Sequence, residues 1–185
     1  IYIQDTFNNY YWDGDSWQSS LVWLTTTTIP WSFEFPDSAK TSGHRYIVVS
    51  KGKDKAGNYQ TNFTVGESSN AFVYDTEPPL SEVTYPQNQY LNSITLISGT
   101  AKDQPYGTNL YNAGISTTPA SNVKIRIAMI KEGNTYYWTG IKWDSTTVYE
   151  RTCEPIDNTN PSYEPPNGWK YTETVDWQSD LKYNI

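Results

Sequence analysis

The chain has 185 residues, a formal net charge of −7, and one residue each of Cys, Met and His. That length suits one large domain or two small ones. The acidic balance opposes binding to a phosphate backbone, no apolar run is long enough to cross a membrane as a helix, and a lone Cys cannot form an internal disulfide.

Sixteen Tyr and eight Trp, with plentiful Thr, Ser and Asn, favour strands over helices, because aromatic and β-branched side chains suit a pleated surface. Eleven Pro and eleven Gly supply turn punctuation. The first predicted element is a hairpin over "YYWDGDSW", residues 10–17. A two-residue loop on Gly14 and Asp15, or a four-residue loop over 13–16, sets Trp12 opposite Trp17. A type I′ turn on Asp13 and Gly14 instead sets Trp12 opposite Asp15. Strands are predicted within "RYIVVSKGKD" at 45–54, "YQTNFTVG" at 59–66 and "NAFVYDT" at 70–76. Two adjacent prolines then mark a semi-stiff joint, because neither donates a backbone hydrogen bond and both hold φ near −65°. The module boundary falls near residues 75–79, giving modules 1–78 and 79–185. Further strands are predicted at "SITLISGTA", 93–101, and "NVKIRIAMI", 122–130. A second hairpin, "YYWTGIKW" at 136–143, favours the longer loop in both hairpins.

The two octapeptides lie 126 residues apart. The match extends outward. "IYI" at 1–3 resembles "IRI" at 125–127, given two extra loop residues in the second copy. "WSFEF" at 31–35 resembles "WKYTE" at 169–173, and "HRYIV" at 44–48 resembles "LKYNI" at 181–185. The Pro- and Asn-rich stretch 153–168 reads as the loop that lengthens the second copy. Four segments in one order point to an internal repeat. The first copy lacks a counterpart of 80–123 and the second a counterpart of 49–74. Ile1 is not an initiator Met, and the chain reads as a mature or excised window on a longer array.

"DKAGN" at 54–58, "YDTEPP" at 74–79, "ISGTAKD" at 97–103 and "NAGISTTPASNVKIRI" at 112–127 follow one another in order. This succession resembles the bacterial immunoglobulin-like repeats of large extracellular surface and adhesin proteins. The resemblance covers nearly the whole chain. It departs in two loop insertions, 104–112 and the stretch after Cys153. It implies an all-β fold of tandem immunoglobulin-like antiparallel β-sandwiches, both incomplete here. It also implies a stalk, filament, adhesin or surface-layer role at the bacterial cell surface, with copies of itself or neighbouring repeats as partners.

Residue chemistry adds little to that expectation. No G-x-S-x-G or H-E-x-x-H motif is present, and His44 has no sequence-adjacent nucleophile. The chain is therefore expected to be non-enzymatic and to need no cofactor. Asp75, Glu77 and Asp103 lie near turns and are weak calcium candidates, although Asp also favours turns by bonding nearby amides. Trp12, Trp17, Trp138 and Trp143 either pin hairpins or form an exposed platform for a glycan or another subunit. The second of these readings makes the chain a carbohydrate-binding module of a secreted enzyme or adhesin, and it requires exposed rings.

Overall fold

The computed structural model describes residues 1–26, 30–105, 107–115, 123–156 and 168–185. Most of the 153–168 loop, and the middle of the "NAGISTTPASNVKIRI" segment, lie outside the described residues. Among the described residues there is no α-helix, only a short 3-10 turn at Asp37–Ala39, and every pairing between strands is antiparallel. The chain is all-β and forms two compact units: Ile1–Pro78 with Gln104–Ala113, and Pro79–Asp103 with Gly114–Ile185.

The first unit holds β1 (Tyr2–Asp5), β2 (Tyr10–Trp12), β3 (Trp17–Gln18), β4 (His44–Val49) and β5 (Ser69–Tyr74), in the order β3-β2-β1-β4-β5. Alternation decides which side of the sheet each residue occupies. Ile3 and Asp5 point inward from β1, while Tyr2 and Gln4 stay half-buried. Ile1, Ile3 and Trp12 form the buried cluster, and Trp17, Leu24, Phe33, Phe35, Ala39 and Val48 pack around it. The segment 104–113, placed by the sequence within the second module, is tied to the first unit by long-range bonds. The Tyr111 N–H donates to the Gly43 carbonyl at 2.8 Å, the Gln104 side chain to the Pro78 carbonyl at 3.0 Å, and the Ala113 N–H to Asp75 Oδ2 at 2.7 Å.

The second unit is built from β6 (Leu80–Tyr85), β7 (Ile97–Lys102), β8 (Lys124–Ile125), β9 (Ala128–Lys131), β10 (Asn134–Trp138), β11 (Trp143–Asp144), β12 (Arg151–Thr152), β13 (Glu154–Pro155), β14 (Trp169–Tyr171) and β15 (Lys182–Asn184). They form two four-stranded sheets, β11-β10-β9-β15 and β13-β14-β7-β6, and a separate two-stranded pair, β12-β8. Ile97 and Ala101 from β7, Trp169 and Tyr171 from β14, and Trp138 from β10 meet in one core with Ile125, Ile127 and Cys153. Burial of inward-facing residues from both sheets in a single cluster is consistent with a β-sandwich. Along β7 the alternation is complete: Ile97, Gly99 and Ala101 face the core. A Cβ on Gly99 would collide with the Glu82 carbonyl and the Trp169 indole, so this position has to be bare.

Two strand expectations change. The predicted strand 59–66 contributes only isolated bridges at Tyr59 and Val65, and its residues are exposed, with no strand paired to them among the described residues. Conversely, β6 is a strand that the sequence reading did not mark, and it begins directly after the two prolines that close the expected joint. Its donors start at Leu80, beyond the prolines, and it pairs with β7 from Leu80 to Tyr85 through a bulge. Cys153, expected in a loop, is instead buried in the core beside β12, where burial pushes its thiol up to about 12 and leaves it unreactive.

Candidate interaction site

The two Trp hairpins are built alike. In the first, Trp12 pairs with Trp17 across residues 13–16, so Asp15 is not its partner. The Asp13 N–H donates to the Ser16 carbonyl at 3.0 Å. Asp13 Oδ1 accepts the amides of Asp15 and Ser16 at 2.9 and 2.7 Å, and Gly14 takes φ +108°, a conformation that favours glycine. In the second, Trp138 pairs with Trp143. The Thr139 N–H donates to the Lys142 carbonyl at 3.0 Å, Thr139 Oγ1 accepts the amides of Ile141 and Lys142, and Gly140 takes φ +99°.

The correspondence continues into the packing. Ring centroids lie 5.4 Å apart for Trp12 and Trp17 and 5.2 Å for Trp138 and Trp143, with interplanar angles of 61° and 58°. The Trp17 indole N–H donates to the Ala39 carbonyl at 3.0 Å, and that of Trp143 to the Asp176 carbonyl at 2.8 Å. Tyr46 Oη accepts the Thr41 amide at 2.8 Å, and Tyr183 Oη accepts the Gln178 amide at 2.6 Å. Tyr46 lies opposite Asp5 in the first sheet, and Tyr183 opposite Met129 in the second. Burial raises the pKa of both phenols, keeping them neutral. A Cβ added to Gly14 would meet the Leu24 side chain, whereas one added to Gly140 would meet the Arg151 guanidinium. Arg151 donates to the Thr139 carbonyl at 3.0 Å and to Glu173 Oε2 at 2.7 Å, and the guanidinium lowers the Glu173 pKa.

Burial separates the four Trp candidates. Trp12 and Trp138 are buried in the two cores, so neither ring offers the exposed face that a glycan or subunit platform needs. Trp17 and Trp143 are half-buried, with their indole N–H groups already bound to backbone carbonyls. The three calcium candidates stand in different surroundings. Asp75 accepts the Glu77 and Ala113 amides and works as a loop staple. Glu77 is exposed, and Asp103 is buried. Among the described residues, no three His, Cys, Asp or Glu side chains converge on a metal position.

Two features have no motif in the sequence. The first is a buried pair, His44 Nδ1 to Asp5 Oδ2 at 2.8 Å, with Phe7 stacked 4.4 Å from the imidazole. Asp5 also accepts the Phe7 amide at 2.9 Å, so it holds the turn that follows β1. The second unit carries Met129 and Leu181 at the matching places, which means the fold does not require a polar pair there. The second feature is an open cleft of about 600 Å³ beside the second hairpin, between Asn92, Ile94, Ile141, Asp176 and Trp177, with Trp138 at its base. Its residues come from three separated stretches of sequence, so no local pattern signals it. No protein-family model, no curated protein and no solved structure matches this chain.

Two outcomes follow from the hairpin geometry. Replacing Tyr46→Phe or Tyr183→Phe removes the acceptor for Thr41 or Gln178 and is expected to cost about 0.5–1.5 kcal/mol in denaturant unfolding. Amide exchange at Thr41 or Gln178 should quicken in the matching variant alone. The second outcome concerns acid. The Ser16 and Asp15 amides hold the Asp13 carboxyl down at about 2, against its ordinary 3.8. A lowered folded value means that its contribution is complete above the ordinary value and is lost as pH falls through about 2. An NMR titration should show the Asp15 and Ser16 amides shifting with that midpoint, while Ile141 and Lys142, held by the Thr139 hydroxyl, stay unchanged.

Proposed function

We propose that this chain is a non-enzymatic structural and adhesive piece of a long extracellular repeat protein, a stalk, filament or surface-layer component built from immunoglobulin-like modules. One observation carries the reading: the same hairpin, indole pair, indole-to-carbonyl bond and tyrosine-to-amide bond recur in both units, in the same order. The recurring residues are those that pack, pin turns and close corners. The buried polar pair of Asp5 and His44 does not recur; Met129 and Leu181 stand in its place. A unit repeated for its shape gives length and spacing along an array. The extracellular setting and the partners, which are neighbouring repeats or copies of the same chain, come from the resemblance of "DKAGN", "YDTEPP" and "ISGTAKD" to surface-protein repeats.

Pulling the chain from its two ends in a single-molecule force experiment should give two separate unfolding events. Trp17→Ala should weaken one event and Trp143→Ala the other. Smooth extension without discrete events would remove the mechanical role.

A second reading, carbohydrate binding, is favoured by the cleft. Trp177 supplies a half-buried ring, and Asn92 and Asp176 supply polar groups. Such a combination suits a neutral sugar, which stacks on an aromatic face while its hydroxyls bond at the rim. Titration with neutral oligosaccharides should shift the Asn92 and Asp176 NMR signals, and Trp177→Ala should abolish the shift. An unchanged spectrum at millimolar sugar excludes this reading.

A further inference from the structure

The outer side of the first sheet carries a row of rings. Tyr2 lies between the buried Ile1 and Ile3 and so points away from the core. Tyr11 pairs with Gln4 and shares that outer side. Tyr2 meets Tyr11 edge-on at 5.7 Å between ring centroids and Trp23 edge-on at 5.0 Å, and Trp23 meets Phe63 at 5.9 Å. Two lysines lie across the row. Lys51 Nζ stands 4.8 Å from the Trp23 ring centre and 4.6 Å from that of Tyr59, and Lys53 Nζ stands 4.8 Å from that of Tyr59. Neither ammonium has an ion-pair partner among the described residues. The second unit shows that the fold does not need this row. Leu24 exchanges main-chain bonds with Ile1 as Arg151 pairs with Ile125, so Tyr2 and Trp23 correspond to Arg126 and Glu150. There a surface ion pair, Arg126 Nη2 to Glu150 Oε1 at 3.5 Å, stands in place of the two rings. The second unit holds the strands that lead up to this point, β6 to β8, and its matching face is still open, with the Arg126 and Glu150 side chains 53% and 50% exposed. Openness is thus a property of this side of the sheet in both units.

We propose that this face of the first unit binds an acidic polysaccharide, a chain of sugars that carry carboxylates. Tyr and Trp rings offer flat apolar area with a polar edge, which suits the faces of sugar rings. Lys51 and Lys53 supply the complementary charge, concentrated on this row in a chain whose net charge is −7. An ammonium over an exposed ring is held more weakly than one joined to a carboxylate by a charge-assisted hydrogen bond. A sugar carboxylate therefore draws the lysines off the rings, and the ring faces they covered become free for the sugar. A neutral sugar has to displace the same lysines and offers them no counter-charge, so the site selects for acid. A lipid surface fits less well, because Tyr2, Tyr11 and Trp23 are half-buried in the sheet and do not project as an inserting apolar face does. The proposal rests on neither the modular reading nor the cleft, whose residues belong to the second unit.

The test titrates the complete chain at neutral pH and follows the Trp23 indole N–H by NMR. The probes are oligogalacturonate, its methyl ester, polyglutamate, and vesicles of phosphatidylglycerol with phosphatidylcholine. Oligogalacturonate is expected to shift the Trp23 signal saturably and to bind about tenfold more tightly, or better, than the methyl ester, which keeps the sugar and loses the charge. Lys51→Gln should weaken that binding about tenfold or more, and so should Tyr2→Arg combined with Trp23→Glu. The double variant installs the ion pair that the second unit carries at these places, so the sheet is expected to fold, and it leaves the net charge unchanged. The Trp12 and Trp17 signals should stay in place, as should those of Asn92 and Asp176, which report on the cleft. The proposal is overturned by an unmoved Trp23 signal, by equal affinity for the methyl ester or for polyglutamate, by undiminished binding of the double variant, or by a Trp23 response to the vesicles in place of the glycan. A shift confined to Asn92 and Asp176 would put the sugar in the cleft and remove the site on this face.

Discussion

The fold of both units depends on one contact, an indole facing an indole across a four-residue turn. Trp12 against Trp17 and Trp138 against Trp143 set the register of their hairpins. They also give the next layer its footing: Tyr46 lies 5.9 Å from Trp17, and Tyr183 lies 5.6 Å from Trp143. Each pair has one deeply buried ring whose N–H finds no acceptor among the described residues. An indole removes about 150–250 Å² from water, which is about 4–6 kcal/mol at about 25 cal/mol/Å². An unmatched donor costs about 1–3 kcal/mol. The apolar gain is the larger quantity, so Trp can hold the inner position without a polar partner. The outer ring, closer to water, has its N–H satisfied by a carbonyl from a distant segment.

Around this shared frame the two units vary in polarity rather than in geometry. Asp13 and Thr139 perform the same task, accepting two turn amides, with a carboxylate in one case and a hydroxyl in the other. Leu24 beside Gly14 becomes Arg151 beside Gly140, which adds an ion pair to Glu173. The largest departure is the exchange of Asp5 and His44 for Met129 and Leu181. A buried ionisable pair is costly to desolvate and rarely outperforms apolar packing. Here Asp5 recovers part of that cost through bonds to the Phe7 amide and the Asn8 side chain. The pair thereby holds the turn between β1 and β2 in place.

Much of the hairpin chemistry was legible in the sequence because it is local. Two Trp five residues apart around a glycine leave few ways to pair, and Trp12 opposite Trp17 was among those read; the amide-to-carbonyl bonds from Asp13 to Ser16 and from Thr139 to Lys142 set those residues against each other, as a two-residue loop does, where the second hairpin had favoured the longer one. The equivalence of 44–48 and 181–185 was readable from a single Tyr, and the ladder registers place Tyr46 and Tyr183 at corresponding points of the two sheets. Other readings failed where the deciding partner is remote. Residues 59–66 alternate like a strand, but among the described residues no strand pairs with them to complete a ladder. Cys153 sits beside a loop in sequence but inside the core in space. Trp31 and Trp169 match as letters yet differ in burial, because only Trp169 has β7 beside it.

From its own letters the chain determined an all-β character, two aromatic hairpins and the absence of a membrane-spanning helix. All of these follow from spacing, propensity and turn stereochemistry within about ten residues. The three-dimensional packing decided which indoles are buried, that 104–113 belongs with the first unit, that Asp75 staples a loop, and that a cleft lies beside Trp177. Those features depend on backbone groups and side chains from distant segments meeting at fixed distances. Alternation and composition describe each segment alone and carry no record of which distant segment will satisfy it.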